Sequence, residues 1–488
     1  MLHKPASMFD RDHEWLALGR FAADPQPTAT LGVVSGRRRQ GKTFLLEALC
    51  QATGGFYFAA TEAVEAESLR RIGDALTGYL DLPVPFRPTD WHEVVDMLLR
   101  VGRQRPVPVV LDEFPYLARA CPTLPSILQA AYAPLRRERE QYRSRLLLCG
   151  SAMSFMGKLL SGTAPLRGRA SLELIIHPLD HRLAAQFWGI SDPRLAVRVN
   201  AVVGGTPAYR REFAGDDAPA GPDDFDNWVL RTVLNPASPL FREARYLLAE
   251  EPDLRDAALY HSVLAAVAEG NTTRGRIANY LGRRTSDLAH PLDVLQDAGL
   301  LVRETDAFRE NRSYYRIAEP LITFYHAVMR PAWDQLERPG NASRVWRAAH
   351  QRFATKVLGP RFEQICREWS LYSADDQVFG GLPIRVGHGT VTDPSRRTSH
   401  EVDVAVVGST EQGGTRLLAI GEVKWGEVMG VGHLDRLRRI RALLANSGRY
   451  DTSQTRLACF GGAGFSPELR AAASSDEVVL VDIDQLYR

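Results

Sequence analysis

The sequence has 488 residues, with 60 Lys and Arg against 58 Asp and Glu for a formal net charge of +2, and it is 45% hydrophobic and 24% charged. That composition excludes a disordered, collagen-like or fibrous chain, and at roughly 100–200 residues per domain the length implies three or four domains. Bulk charge assigns no partner, so any nucleic-acid contact must come from local basic surface.

The five cysteines, Cys50, Cys121, Cys149, Cys366 and Cys459, are scattered and include no C-x-x-C pair, a pattern that fits neither a disulfide framework nor a zinc site. No apolar run approaches the ~18 residues of a membrane span, and the N-terminal MLHKPASMFDRDHEW lacks the apolar centre of a signal peptide. The expectation is therefore a cytoplasmic protein with no membrane partner. Lysine is scarce, confined to Lys4, Lys42, Lys158, Lys356 and Lys424, and two of these fall inside motifs that need a compact ammonium.

In chain order, LGVVSG, GFYFAAT, VPVVLDEF, RLLLCGS and LELIIHPL are short β-rich runs separated by helical stretches, the alternation of a parallel sheet covered by helices. The Pro, Gly and Asp-rich run at 214–228 reads as a loop inside a helical region. Three helical segments, AALYHSVLAAVAEG, TRGRIANYLG and TSDLAHPLDVLQDAGL, precede the hairpin LLVRETDAFRENRSYYRIAE, which is the winged-helix pattern. After a linker near RPAWDQLERPGNAS comes a last region of helix, strands, helix and strands. The expected architecture is multidomain α/β: a parallel sheet covered by helices over 1–190, a helical region over 191–255, a winged helix over 256–335 and a last α/β domain over 340–488.

Gly36-Arg37-Arg38-Arg39-Gln40-Gly41-Lys42-Thr43 matches G-x-x-x-x-G-K-[ST], between the strand LGVVS and a helix opening at Phe44. Glycines let backbone N–H groups wrap phosphates, the helix N-terminus adds a positive dipole, Lys42 reaches the β/γ-phosphates and Thr43 ligates Mg²⁺. Asp112 and Glu113 close an apolar strand where a Walker B pair belongs, Asp112 for Mg²⁺ and Glu113 to polarise the attacking water, although such a pair also serves as a plain helix cap. Ser151, at the end of RLLLCGS, is suited to sensing the γ-phosphate. Arg167 and Arg169 are either arginine fingers, in cis or across a homo-oligomer, or solvated loop residues.

Together with Phe9-Asp10-Arg11, Glu14, CGSAMSFM and Gly204-Gly205-Thr206-Pro207, these motifs resemble the prokaryotic archaeal-type ATPase family of the AAA+/STAND P-loop group. The resemblance implies ATP as cofactor, with Arg11 and Pro207 near it and a lid that closes over it. It continues into a C-terminal PD-(D/E)xK nuclease-like domain, so the resemblance implies a P-loop NTPase over 1–190, its helical lid over 191–255 and a restriction-endonuclease-like fold over 340–488.

There the residues also speak for themselves. Asp403 in HEVDVAV and Glu422 and Lys424 in LLAIGEVKW lie on two strands joined by the Gly-rich turn GSTEQGGT, and Glu422 and Lys424, two apart, share a face. Paired carboxylates hold Mg²⁺ through oxygen, and a neighbouring lysine orients water at a phosphodiester. The bland alternative is a cross-strand ion-pair ladder. Glu363 is either a third acidic group or half of an i,i+4 pair with Arg367. Arg274, Arg276, Arg283 and Arg284 gather before the third helix, with Arg303, Arg309, Arg312 and Arg316 on the wing, as DNA contacts require, yet Asp287, Asp293 and Asp297 on that helix suit protein packing equally. The reading is an ATP-controlled ATPase acting on DNA, with a Mg²⁺-dependent nuclease domain; a nucleotide-switched regulator with an inactive nuclease fold is the alternative, and a triggered defence effector a third.

Overall fold

A computed structural model describes residues 2–133, 137–249, 256–338, 340–409, 415–473 and 477–488. Contacts divide the chain into two compact units, one running to Pro178 with the segment Asp297–Gly299, the other built from the described residues from Leu179 onward.

In the first unit, helix α1 (Asp12–Ala22) precedes strand β1 (Thr30–Ser35), helix α2 (Lys42–Thr53), and strands β2 (Phe56–Ala59), β3 (Val107–Asp112), β4 (Ser144–Gly150) and β5 (Ala170–Ile175). The strands form one parallel sheet in the order β2-β3-β4-β1-β5. The near-continuous apolar runs of β1, β3 and β4 are explained by burial on both faces, whereas β2 and β5 lie at the sheet edges. Because strand side chains alternate, Leu31, Val33, Val109, Leu111, Leu146 and Leu148 enter one core, while Val34, Val110, Leu147 and Cys149 enter another on the opposite face. All five runs taken as strands from the sequence are strands, and all five cysteines are buried and free.

The second unit carries helices α3 (Ala257–Ala268), α4 (Arg274–Leu281) and α5 (Ala289–Asp297), then the hairpin of β6 (Leu301–Asp306) and β7 (Arg309–Ile317). Further on come helix α6 (Gly359–Tyr372), strands β8 (Arg385–Asp393), β9 (Thr398–Ser409) and β10 (Thr415–Lys424), helix α7 (Val431–Asn446), and strands β11 (Arg456–Gly461) and β12 (Val478–Asp482). These strands make one sheet, β12-β11-β10-β9-β8, antiparallel from β8 to β10 and parallel from β10 to β12. Leu434, Leu437, Ile440 and Leu444 form the helical stripe of α7 against Ala405, Leu417 and Ile420. Residues 410–414 of the turn GSTEQGGT, residues 250–255 at the expected end of the lid, and Pro339 of the expected linker lie outside the described residues.

The segment expected as an open linker is largely helical, with short turns at Arg330–Ala332 and Trp333–Leu336. Aromatic packing explains this: Phe225 meets Phe353 at 5.9 Å between ring centroids and Phe324 meets Trp346 at 6.0 Å, so residues before and after the segment share a core.

The hairpin also departs from expectation. Its tip residues Ala307 and Phe308 are buried in the core of the C-terminal sheet. The Ala307 N–H donates to His388 O at 2.9 Å, and the Tyr450 hydroxyl donates to Ala307 O at 2.7 Å. Arg309 bonds Thr392, and Arg316 pairs with Glu304 at 2.7 Å. The wing is thus a wedge between secondary elements, and three of its four arginines are engaged within the protein, Arg303 donating to the Ser313 hydroxyl at 3.0 Å. No helix among the described residues is long and apolar enough to cross a membrane.

Candidate functional site

Strand order positions the first site. β4 lies between β1 and β3, and Leu148 registers with both Val33 and Leu111, so the carboxyl ends of the three strands are level. Ligands of open parallel sheets bind at that edge. The loop 36–41 leaves β1 there, Asp112 and Glu113 leave β3 there, and Ser151 follows β4.

Gly36 packs so tightly on β5 that an added Cβ would lie 2.5 Å from Ile176 O, and Gly41 has φ +86°. The loop between turns its backbone inward, and the Lys42 ammonium donates to Arg37 O at 2.8 Å. Burial lowers the Lys42 pKa, while Cys149, Glu113 and Asp112 oppose that fall. The Thr43 hydroxyl donates to Asp112 Oδ2 at 2.8 Å, and the Tyr57 hydroxyl donates to the same oxygen at 2.8 Å. Glu113 takes a left-handed backbone, φ 51°, which for a side chain larger than Gly costs roughly 1–2 kcal/mol. That turn aims its carboxylate at Ser151, whose hydroxyl donates to Oε1 at 2.9 Å.

Arg11 opens α1 with φ 66°, pairs with Glu14 at 3.0 Å, and donates to Gln40 O at 3.3 Å, bracing the phosphate loop from behind. Arg38 donates to the Tyr116 hydroxyl at 3.3 Å. Phe44 is exposed, and Arg39 has φ 66°. Arg167 donates to Gly162 O at 2.7 Å within its own loop, and Arg169 is half-buried. Pro207 belongs to the second unit, where neighbouring Thr206 donates to Glu319 at 3.4 Å.

The second site is assembled from distant elements. Gly421 registers with Val404, and the Val423 N–H donates to Asp403 Oδ2 at 2.9 Å, which brings Asp403 onto the Glu-x-Lys strand. Glu422 is 4% exposed; its Oε1 pairs with Arg436 at 2.7 Å and Lys424 at 3.1 Å, while Oε2 has no hydrogen-bond partner among the described residues. Glu363 pairs with Arg367 at 3.7 Å, and Arg367 donates to Asp403 O at 3.0 Å. Its recessed position and the Asp403 carboxylate push the Glu363 carboxyl up to about 7, and burial raises Asp403 as well. Glu363 thus makes the helical ion pair with Arg367 and also feels the charge of Asp403.

The oxygen donors of the first site suit a hard cation such as Mg²⁺, since two of them already converge on one point. In the second, the buried, unpartnered Glu422 Oε2 suits a cation, but among the described residues no three His, Cys, Asp or Glu side chains are grouped to hold one. Glu363 therefore does not complete a three-acid cage.

Tyr57, Tyr116 and Arg436 escaped the sequence reading. Only Tyr57 left a signal: in a strand of alternating burial its ring must share a face with neighbouring strand ends. Arg436 is one of several arginines on α7, and nothing in the sequence singles it out.

No family model matches the chain. An uncharacterized protein of Methanocaldococcus jannaschii, MJECL04, is 25% identical over 341 residues, covering 69% of this chain and 72% of its own. The Walker-type ATPase of Pyrococcus abyssi superposes with a TM-score of 0.51 at 20% identity, covering 66% of this chain and 97% of that one. That likeness shows the fold alone. About a third of the present chain lies outside it. The ORC2 protein of Aeropyrum pernix, in its ADPNP–ADP complexes, covers 72% of this chain and 97% of its own at 15% identity, with a TM-score of 0.44 that is too loose to argue from.

Proposed function

We propose that the first unit binds and hydrolyses ATP, and that the second acts on DNA through Asp403, Glu422 and Lys424 as a phosphodiester-cleaving set under nucleotide control. The observation that carries the nucleotide reading is the 2.8 Å bond from Thr43 to Asp112 beside a buried Lys42. In this reading the backbone N–H groups of Gly36, Arg38, Arg39, Gln40, Gly41 and Lys42 hold the phosphates and Phe44 extends the helix that carries them. Lys42 offsets phosphate charge. Glu113, held by Ser151, orients the attacking water. Mg²⁺ would sit on Thr43 and Asp112, where it supplies charge neutralisation. Arg11 flanks the nucleotide, and Arg167 or Arg169 supplies a finger, in cis or from a second copy. DNA contact is supported by a basic cluster, Arg274 and Arg276 on α4 with Arg283 and Arg284 just after it, within three helices followed by a hairpin.

The test uses supercoiled plasmid with Mg²⁺, with and without ATP. Lys42→Ala is expected to weaken nucleotide binding by about 100-fold, near 2.7 kcal/mol; unchanged affinity sinks the nucleotide half. Nicking is expected to vanish in Glu422→Ala/Lys424→Ala. A specific observation favours a second reading, a nucleotide switch that binds DNA without cutting: Arg436 and Lys424 already neutralise Glu422. ATP turnover with no nicking selects that reading.

A further inference from the structure

Between the hairpin and the C-terminal sheet, wholly within the second unit, lies a cavity of about 340 Å³. Its lining sets the four carboxylates of Glu304, Glu363, Glu401 and Asp403 against six Arg and Lys side chains, among them Arg276, Arg312 and Lys356 beside Tyr314. Arg276, Arg312 and Lys356 make no ion pair with a carboxylate among the described residues. Lys356 donates only to Glu269 O at 2.8 Å, and the Arg312 guanidinium lies over the Tyr314 ring, 5.1 Å from its centroid. Three unneutralised cations facing a recess attract a polyanion, and a guanidinium spread on an aromatic ring offers a flat cationic face to a base.

Size and rigidity decide which polyanion fits. The volume falls at the lower end of the ~300–1,000 Å³ of small-molecule sites, room for a base with its sugar and phosphate. Duplex recognition instead needs a protein element to enter a groove about 12 Å wide. The hairpin cannot swing aside to admit a duplex, because Phe308 is locked in the sheet core and the Tyr314 hydroxyl bonds both Asp306, at 2.8 Å, and Thr390, at 3.1 Å.

We propose that this cavity is a binding site for single-stranded nucleic acid, which inserts one nucleotide against Arg276, Arg312 and Lys356 and leaves its phosphodiester beside Glu363 and Asp403. The inference deepens the reading of the second unit as a phosphodiester-acting domain, and it specifies an unpaired strand as the substrate form.

The test measures anisotropy of a fluorescent oligothymidylate of about 10 nucleotides, within the span of single-strand sites, bound to the full chain in EDTA so that cleavage plays no part. Oligouridylate run alongside reads DNA against RNA preference. Arg276→Glu/Arg312→Glu, and separately Arg276→Gln/Arg312→Gln, are expected to weaken binding at least tenfold and to flatten its salt dependence, with an unchanged thermal midpoint. Wild-type affinity in both folded double variants overturns the proposal, as does duplex DNA displacing the probe as well as unlabelled oligonucleotide does. Loss of probe binding in a chain that nicks no plasmid upholds the site and removes the nuclease reading. Nicking with probe binding indifferent to Arg276 and Arg312 does the reverse.

Discussion

The loop 36–43 and the C-terminal acid site both gather charged groups, in opposite ways. In the first, residues 36–43 are contiguous, and their geometry follows from a strand, two glycines and a helix N-terminus; Asp112, Glu113 and Ser151 arrive because parallel strands end at one level. In the second, Glu363, Asp403, Glu422 and Arg436 come from four separate elements and meet only through β-sheet register and helix packing. Local backbone makes the first site robust; tertiary packing must hold the second.

That contrast is broken most directly at the hairpin wedge. Phe308→Ala removes a buried ring from the C-terminal core, and urea unfolding of the second unit is expected to show a loss of ~3–5 kcal/mol. Nucleotide binding by the first unit should persist. Equal loss in both units would show that the two sites share one cooperative core.

A smaller effect is expected from Arg436→Ala, which leaves buried Glu422 with Lys424 alone. Thermal and urea midpoints should correspond to a loss of about 2 kcal/mol, below the ~3–5 kcal/mol of a fully broken buried pair. No loss would mean that Lys424 neutralises Glu422 unaided.

Acid should also separate the regions. Burial, with Arg367, lowers His388 from its ordinary 6.5 to about 4, against the opposing pull of Glu304 and Asp306, and Arg316 adds to the fall. The unfolded ring takes a proton below its usual value while the folded one does not. Stability is therefore full above pH 6.5 and falls by up to ~1.4 kcal/mol per pH unit as acid approaches about 4, where the loss levels off. His388→Gln should flatten that slope in a pH series of urea melts; an unaltered slope assigns the acid sensitivity elsewhere.

The mildest prediction concerns the first site. Tyr57→Phe removes one of the hydroxyls bonded to Asp112 and is expected to cost about 1 kcal/mol, with a matching modest fall in ATP turnover. An effect as large as that of Lys42→Ala would make Tyr57 part of the essential machinery.

Much of the first unit was legible because its signals are short-range. Apolar runs marked the strands, and the G-x-x-x-x-G-K-T spacing marked the turn between them. The second unit was legible in its elements but less so in their use. Arg303, Arg309, Arg312 and Arg316 read as one basic wing, yet Arg316 found Glu304 and Arg309 found Thr392. Ala307 and Phe308 read as a hairpin turn, and became core because the sheet of β8 to β10 has an apolar face that they complete. Glu363 resisted a single reading for the same reason: its ion pair with Arg367 is helical and local, whereas its approach to Asp403 depends on how α6 lies on β9.

By itself, the sequence determined the parallel sheet, the phosphate loop, the acidic strand end after Leu111 and the Asp403 and Glu-x-Lys strands, since each follows from periodicity or from residues a few positions apart. Tertiary structure alone decided that the hairpin is a wedge, that Arg436 holds Glu422, and that three arginine and lysine side chains face the same cavity as Glu363 and Asp403. Those facts join residues as far as 143 positions apart, from Ala307 to Tyr450. Only the packing of helices and sheet, driven by the burial of apolar faces, determines which distant charges share a space.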